Sequence, residues 1–312
     1  MGDVVAFESV WGDPIARLPF DVDRVATADG ADAPEPEQVR AVVVRNRTAV
    51  DPAFLDAFPR LLVVGRVGVG LDNIDVAAAD QRGIVVVSPR GANAVSVAEH
   101  ALGLALAVAR RIVHLDADVR RGGWDRSPGI ELTGGTWGVL GAGATGVACA
   151  RLARALGMRV VAYDPYADPA VLQHEGIEPV SLADCAERSS VLSCHLPTTA
   201  ETKGLLAWDF FATARPGLIF VNVGRGEVVD ESALAQALIT GRLAGAGLDV
   251  RAVEPAEAGP LDRLENVVLT PHVAGITVQS QHRILLAIAA DIERVLSGGA
   301  ATHHVGEVSQ AR

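Results

Sequence analysis

TWGVLGAGATG, residues 136–146, decides how the 312-residue chain folds. Trp137 to Leu140 is apolar and suits a strand, and it breaks into Gly141, Gly143 and Gly146, spaced G-x-G-x-x-G. Residues 147–156 then have the Ala, Leu and Arg content of a helix. Strand, glycine turn and helix form the context that a dinucleotide fingerprint needs. Gly141 permits the tight turn, Gly143 lets a pyrophosphate approach the backbone, and Gly146 lets helix and strand pack closely. The N–H groups that open the helix, at Ala144, Thr145 and Gly146, face the phosphates with the favourable end of the helix dipole.

A glycine turn alone is weak in a chain with 32 glycines, so the residues after it matter. MRVVAY, residues 158–163, reads as the next strand, and Asp164 ends it eighteen residues past Gly146. That is close to the spacing of about 20 expected for the acid that binds the adenosine ribose. Asp164 repels a 2′-phosphate, and Pro165 to Asp168 offers no Arg or Lys to receive one. NAD is therefore expected over NADP.

The length suits two domains. A composition 49% hydrophobic and 21% charged is that of a soluble globular protein. Net charge of −11 argues against nucleic acid or an anionic membrane as partner. Cys149, Cys185 and Cys194 form no C-x-x-C pair, which fits buried thiols in a reducing cytoplasm, and no metal site is expected. Asp3 and Glu8 stand where a signal peptide carries basic residues, and the most apolar helix, near 101–109, is too short to span a bilayer.

In chain order, residues 3–7, 41–45, 61–65 and 84–88 read as strands, and 28–38 as a loop leading into a helix. Asp51 caps a helix over 52–58, and Asp72 or Asn73 caps the next. This alternation is a first, flavodoxin-like layer. Residues 96–120 read as one long helix, apolar on more than one face, of the kind that crosses between domains or packs on a second subunit. The nucleotide domain follows, with strands at 136–140, 159–163, 191–194, 218–222, 245–249 and 267–269 and a helix at 232–240 capped by Asp230. A last helix runs from near Thr277 to Leu296 and returns to the first domain. The expected fold is α/β: a Rossmann-type doubly wound parallel sheet over 98–284, and a smaller, discontinuous, flavodoxin-like substrate domain from 1–97 and 285–312.

Ligands of open α/β sheets bind outside the carboxyl ends of the strands. Three strand ends of the second domain deliver Arg225, Glu254 and His272 to one rim. An imidazole exchanges protons near neutral pH, a neighbouring carboxylate favours its charged form, and a guanidinium grips a carboxylate in bidentate fashion. Singly, each residue reads as an ordinary surface or loop group; together they suit a 2-oxo acid. His195, followed by Leu196 and Pro197, lines the cofactor side, as do Val223 and Gly224 before Arg225. His100, His114, His174, His282, His303 and His304 have no such context.

At this point the chain resembles the D-isomer-specific 2-hydroxyacid dehydrogenase family, most closely its 3-phosphoglycerate dehydrogenase branch. GRVGVGLDNID (65–75), GANAVSVAE (91–99), GVLGAGATG (138–146), HLPTTAETKGLL (195–206), NVGRGEVVDESAL (222–234), GAGLDVRAVEP (245–255) and TPHVAG (270–275) carry the resemblance, over nearly the whole chain. It implies that Arg225, Glu254 and His272 are catalytic, that Asp249 lies on the nicotinamide side with Gly275 nearby, and that backbone N–H groups near Val69 and Gly70 hold the substrate carboxylate. It also implies a homodimer, with 96–120 in the interface. Arginines in two matching motifs fall on Arg45 and Arg66, which end neighbouring strands and are expected to stand free for a second anionic group, with Arg126 reaching in from a second subunit. Two departures stand out. Ala144 and Thr145 replace the usual Arg-Ile, and Arg251 replaces an aromatic residue. The chain also ends soon after its last helix, so the regulatory domains of some phosphoglycerate dehydrogenases are not expected.

The leading expectation is an NAD-dependent oxidoreductase acting on a small anionic 2-hydroxy or 2-oxo acid, 3-phosphoglycerate or another doubly anionic acid. Hydroxypyruvate or glyoxylate reduction and phosphite oxidation are sibling chemistries of the fold. An NAD-sensing corepressor is a further alternative, though such proteins carry extensions that this chain lacks.

Overall fold

Short valine-rich runs, buried on both faces, build the first sheet, the pattern of parallel strands covered on both sides. The computed structural model describes residues 3–8, 15, 18–26 and 35–311. The chain opens with β1 (Val4–Phe7), β2 (Val22–Val25), β3 (Ala41–Val44), α1 (Pro52–Asp56), β4 (Val63–Arg66), α2 (Val76–Arg82) and β5 (Val85–Val87). These strands pair in parallel in the order β2-β1-β3-β4-β5, the flavodoxin-like order. β1, β3, β4 and β5 are buried at every position. β2, VDRV, is a half-exposed edge strand whose central Asp23 and Arg24 hide it from an apolar-run search. Residues 35–38 form a turn within the loop expected over 28–38, and the chain passes from it to β3 without the helix expected to follow; the rest of that loop lies outside the described residues.

Asp51 caps α1 by accepting the Phe54 N–H at 2.8 Å. Asp75, rather than Asp72 or Asn73, caps α2 by accepting the Ala78 N–H at 2.9 Å. Asp72 and Asn73 lie in a turn and Ile74 bridges to Val50, so the helix starts only at Val76. Asn73 instead donates its amide to the carbonyls of Arg45 and Thr48, at 2.7 and 2.6 Å.

The second sheet follows two helices, α3 (Ala94–Ala109) and α4 (Ile112–Arg120). One helix was expected over 96–120. It breaks because Arg111 takes a left-handed φ of 53° and the Ala109 carbonyl accepts the Ile130 N–H at 2.8 Å. An ion pair of 2.9 Å from Arg111 to Asp125 holds the break. Then come β6 (Thr136–Leu140), α5 (Ala144–Ala155), β7 (Arg159–Tyr163), α6 (Pro169–His174), β8 (Glu178–Pro179), α7 (Leu182–Arg188), β9 (Val191–Cys194), α8 (Trp208–Thr213), β10 (Leu218–Asn222), α9 (Glu231–Ile239), β11 (Leu243–Leu248) and β12 (Val267–Leu269). All seven strands are parallel, in the order β12-β11-β10-β9-β6-β7-β8. The order reverses between β6 and β9, the Rossmann switch point. α3 lies over β10 and β11, where Gly247 lets Leu104 sit against the strand. Trp137, fully buried, donates its indole N–H to Ser193 at 2.8 Å. Cys149, Cys185 and Cys194 are buried and unbridged, and burial pushes each thiol up to about 12.

The chain then returns to the first sheet through α10 (Val278–Leu296) and β13 (His304–Val305), which pairs antiparallel with β5. Thr277 and Ser280 form a reciprocal capping box at the start of α10. Ile284, Ile288 and Ile292, one helical repeat apart, are fully buried in the first unit's core. The chain divides into Met1–Asn93 with Ile276–Arg312, and Ala94–Gly275. From sequence the boundaries fell at 97/98 and 284/285, inside α3 and α10. Each helix instead stays whole with the core that buries it, α3 in the second unit and α10 in the first.

Candidate active site

The site elements of the second unit lie at the carboxyl ends of its strands. Gly141 leaves β6 at φ 86°, and its N–H donates to the Tyr163 carbonyl at 2.9 Å. A Cβ at Gly146 would collide with the Gly141 carbonyl oxygen, so the close contact between turn and helix requires glycine there. Gly143 is the N-cap of α5 and offers no side chain to its first N–H groups, which a helix cannot satisfy internally. A Cβ at Gly143 would enter open space. An uncapped helix start beside an open backbone fits a pyrophosphate. Ala144 and Thr145 form the first turn of α5. Asp164, just past β7, accepts N–H groups from Ala142 at 2.8 Å and Tyr166 at 2.9 Å, which fixes its carboxylate against the glycine turn.

Across the switch point, the His195 N–H donates to the Leu140 carbonyl at 2.8 Å. Its Nε2 lies 3.0 Å from the Ser193 hydroxyl, and its buried Nδ1 has no protein partner. Burial pushes the imidazole down to about 4, so it is neutral near pH 7. Leu196 and Pro197 follow β9, and Val223 and Gly224 follow β10. The Gly224 backbone rests against the Leu196 carbonyl.

Arg225 follows β10. Its carbonyl accepts the Asn222 amide at 3.0 Å, and its guanidinium donates to the Gly224 carbonyl at 2.9 Å. Glu254 lies on the loop after β11, and His272 follows β12 at a left-handed φ of 53°. The two side chains meet, with His272 Nδ1 2.7 Å from Glu254 Oε2. The other Glu254 oxygen accepts the Arg251 N–H at 3.1 Å. The hydrogen bond from Glu254 raises the His272 pKa; burial and the Arg225 charge oppose it, and the charges of Glu254 and Asp249 support it. Glu254 is pushed up by burial but held below its ordinary value overall by the His272 and Arg251 hydrogen bonds. With Nδ1 engaged, Nε2 is the atom through which His272 exchanges a proton with a ligand.

Asp249 is buried and gathers three donors and a histidine. Its carboxylate accepts from Thr270 Oγ1 at 2.6 Å and from the N–H groups of Val273 and Ala274 at 2.9 and 2.8 Å, with His100 Nε2 at 3.4 Å. Burial pushes its pKa up, and these hydrogen bonds outweigh burial to hold it low. Asp249 thus braces the turn from Thr270 toward Gly275 that presents His272. From sequence His100 had no functional context; the structure joins it to Asp249 and to Thr270, 3.0 Å away and 170 positions later. No local pattern could have indicated that pairing.

In the first unit, Arg66 ends β4 opposite Val44, the last residue of β3, and Arg45 follows β3 directly. Arg66 does not stand free. It is 8% exposed, and its guanidinium donates to the carbonyls of Gly70 and Val67 at 2.9 and 2.8 Å, shaping the turn that holds Val69 and Gly70. Burial lowers the Arg45 pKa against the opposing charge of Glu8. Arg126 is exposed, and among the described residues no helix is long and apolar enough to cross a membrane.

A family model described as D-isomer specific 2-hydroxyacid dehydrogenase, NAD binding domain, matches residues 102–274. D-3-phosphoglycerate dehydrogenase of Mycobacterium tuberculosis is 46% identical over 260 residues, which are 83% of this chain and 49% of that one. The chain spans about half the length of the curated relatives it matches. A Thermus thermophilus protein superposes with a TM-score of 0.88 at 32% identity, covering 97% of this chain and 99% of that one. The NADPH-dependent glyoxylate/hydroxypyruvate reductase of Sinorhizobium meliloti, solved with NADP and malonate, gives 0.87 at 31% identity, covering 99% and 98%.

Proposed function

Because the chain belongs to the D-isomer specific 2-hydroxyacid dehydrogenase family, we propose that it reduces a 2-oxo acid, or oxidises the corresponding 2-hydroxy acid, with NAD as redox partner. The observation that carries this reading is the pair of His272 Nδ1 and Glu254 Oε2 at 2.7 Å. The uncapped start of α5, the Gly143 backbone and Asp164 hold the dinucleotide, and Asp164 favours NAD over NADP. When bound, the reduced dinucleotide supplies a hydride for C2. His272 passes the Nε2 proton to the carbonyl oxygen, Glu254 stabilises the charged imidazole beforehand, and Arg225 grips the carboxylate and polarises the carbonyl.

The substrate we propose carries a second negative charge, as 3-phosphoglycerate does. Similarity to enzymes named for that substrate supports this, with Arg45, Arg66 and the Val69–Gly70 turn as the first unit's substrate-binding groups. The protein is further proposed to act as a homodimer in a reducing cytoplasm. Exposed Ile112, Val113 and Val119 on α4 and exposed Trp124 support the dimer, and the buried thiols support the compartment.

NADH oxidation, followed over 3-phosphohydroxypyruvate, a dicarboxylic 2-oxo acid, hydroxypyruvate, glyoxylate and pyruvate, tests the reading, with NAD and phosphite as a separate arm. The doubly charged acids should have the highest kcat/KM. Arg45→Ala should cost them about tenfold, about 1.4 kcal/mol, and cost pyruvate much less. Equal losses would end the second-charge assignment, and no turnover with any oxo acid would end the activity.

A further inference from the structure

We propose that Arg251 is a positioning residue that clamps the Glu254 loop to the start of α9, so that Glu254 and Arg225 are held in one frame around His272. This rests on the dehydrogenase reading above and adds a role for a residue that departs from the family pattern. The loop between β11 and β12 contains no regular element except a single 3-10 turn at Leu261–Arg263. Residues 253–258 are exposed, so local packing does not hold Glu254. Arg251 does. Its side chain is only 13% exposed, and Nε and Nη2 grip the two carboxylate oxygens of Glu231 at 3.0 and 2.9 Å. The third nitrogen, Nη1, reaches Asp262 at 3.3 Å, on the far side of the same loop.

Glu231 does more than neutralise this charge. It also accepts the Ala252 N–H at 2.9 Å, so one carboxylate holds both the Arg251 side chain and the loop backbone beside it. Glu231 lies in the first turn of α9, where negative charge is favoured, and Asp230 caps that helix. The Arg251 N–H in turn donates to Glu254 at 3.1 Å. On the other side, the Gly226 backbone lies so close to Arg251 that a Cβ there would collide with the Arg251 carbonyl group. The residue after catalytic Arg225 therefore rests on the residue that aims Glu254. A planar, bidentate guanidinium suits this work, and a lysine ammonium cannot bridge the same oxygens in a fixed plane.

The test is an NMR titration of the His272 ring in the full chain, for wild type, Glu254→Gln, Arg251→Met, Arg251→Lys and Glu231→Gln. Glu254, Arg225 and Asp249 are the charged groups that act on this ring. Glu254→Gln sets the midpoint for full loss of the pairing. Arg251→Met and Glu231→Gln should lower the midpoint from the wild-type value most of the way there, and Arg251→Lys part of the way. In turnover, Arg251→Met should lower kcat about tenfold to a hundredfold with little change in NADH affinity or KM. If Arg251→Met does not fold, Arg251→Lys and Glu231→Gln decide the matter. A wild-type midpoint in folded variants overturns the clamp. Titration needs no substrate, so an inactive wild type would sink the dehydrogenase reading while the ring midpoint still judges the clamp.

Discussion

His272 holds a backbone conformation that residues with side chains seldom adopt, at a cost of about 1–3 kcal/mol. Asp249 offsets that cost: its carbonyl accepts the His272 N–H at 2.8 Å, and its carboxylate ties down the two residues that follow. The pairing with Glu254 then fixes the pH behaviour. His272 is raised, so its charged form persists above the ordinary value and is lost as pH climbs through the raised one. Glu254 is depressed, so its charge is lost only as pH falls through that lower value. The ion pair is complete between these limits. In the proposed reaction, reduction consumes the charged imidazole and should fall on the alkaline side, while oxidation needs the neutral ring and should rise there. Glu254→Gln should move the alkaline limb of kcat/KM for reduction to lower pH; an unmoved limb would separate Glu254 from the proton. The places of Arg225, Glu254 and His272 were legible because each lies in a loop that follows an apolar run. The bracing by Asp249, His100 and Arg251 was not, since it depends on partners brought together only by the folded sheet.

Among elements, the turn from β6 into α5 makes two neighbouring glycines differ in kind. At Gly146 an added methyl meets the Gly141 carbonyl, whereas at Gly143 it meets nothing. Gly146→Ala should therefore lower both Tm and NADH affinity. Gly143→Ala should leave Tm unchanged and weaken NADH binding, because its methyl occupies space that the phosphates need. Thermal melts with a fluorescence titration of NADH check both, and tight NADH binding by Gly143→Ala would remove that glycine from the phosphate site. Parallel strands buried on both faces announced themselves as apolar runs, and α1 and α9 by the aspartates Asp51 and Asp230 that cap them. Edge strand β2 did not, because Asp23 and Arg24 interrupt its apolar run. Nor did the break between α3 and α4, because Arg110 and Arg111 suit a helix interior as well as its end.

For the molecule as a whole, the alternation of strands and helices announced two parallel α/β units, whereas the boundaries between units shifted because helices are not cut. α4 has no fully buried residue, and Ile112, Val113 and Val119 on it are each 53% exposed. A dimer that covers this face predicts that sedimentation velocity finds a species of twice the 32.4 kDa chain mass, and that Val113→Asp with Val119→Asp shifts it toward monomer. A wild-type monomer at every concentration would refute the interface. The three cysteines have another consequence. With every native thiol enclosed and held protonated near pH 8, the protein offers maleimides and iodoacetamides almost nothing to attack. A single Tyr166→Cys replacement, at a position 86% exposed, would then carry a dye or a surface tether at one known place, with no native cysteine removed first.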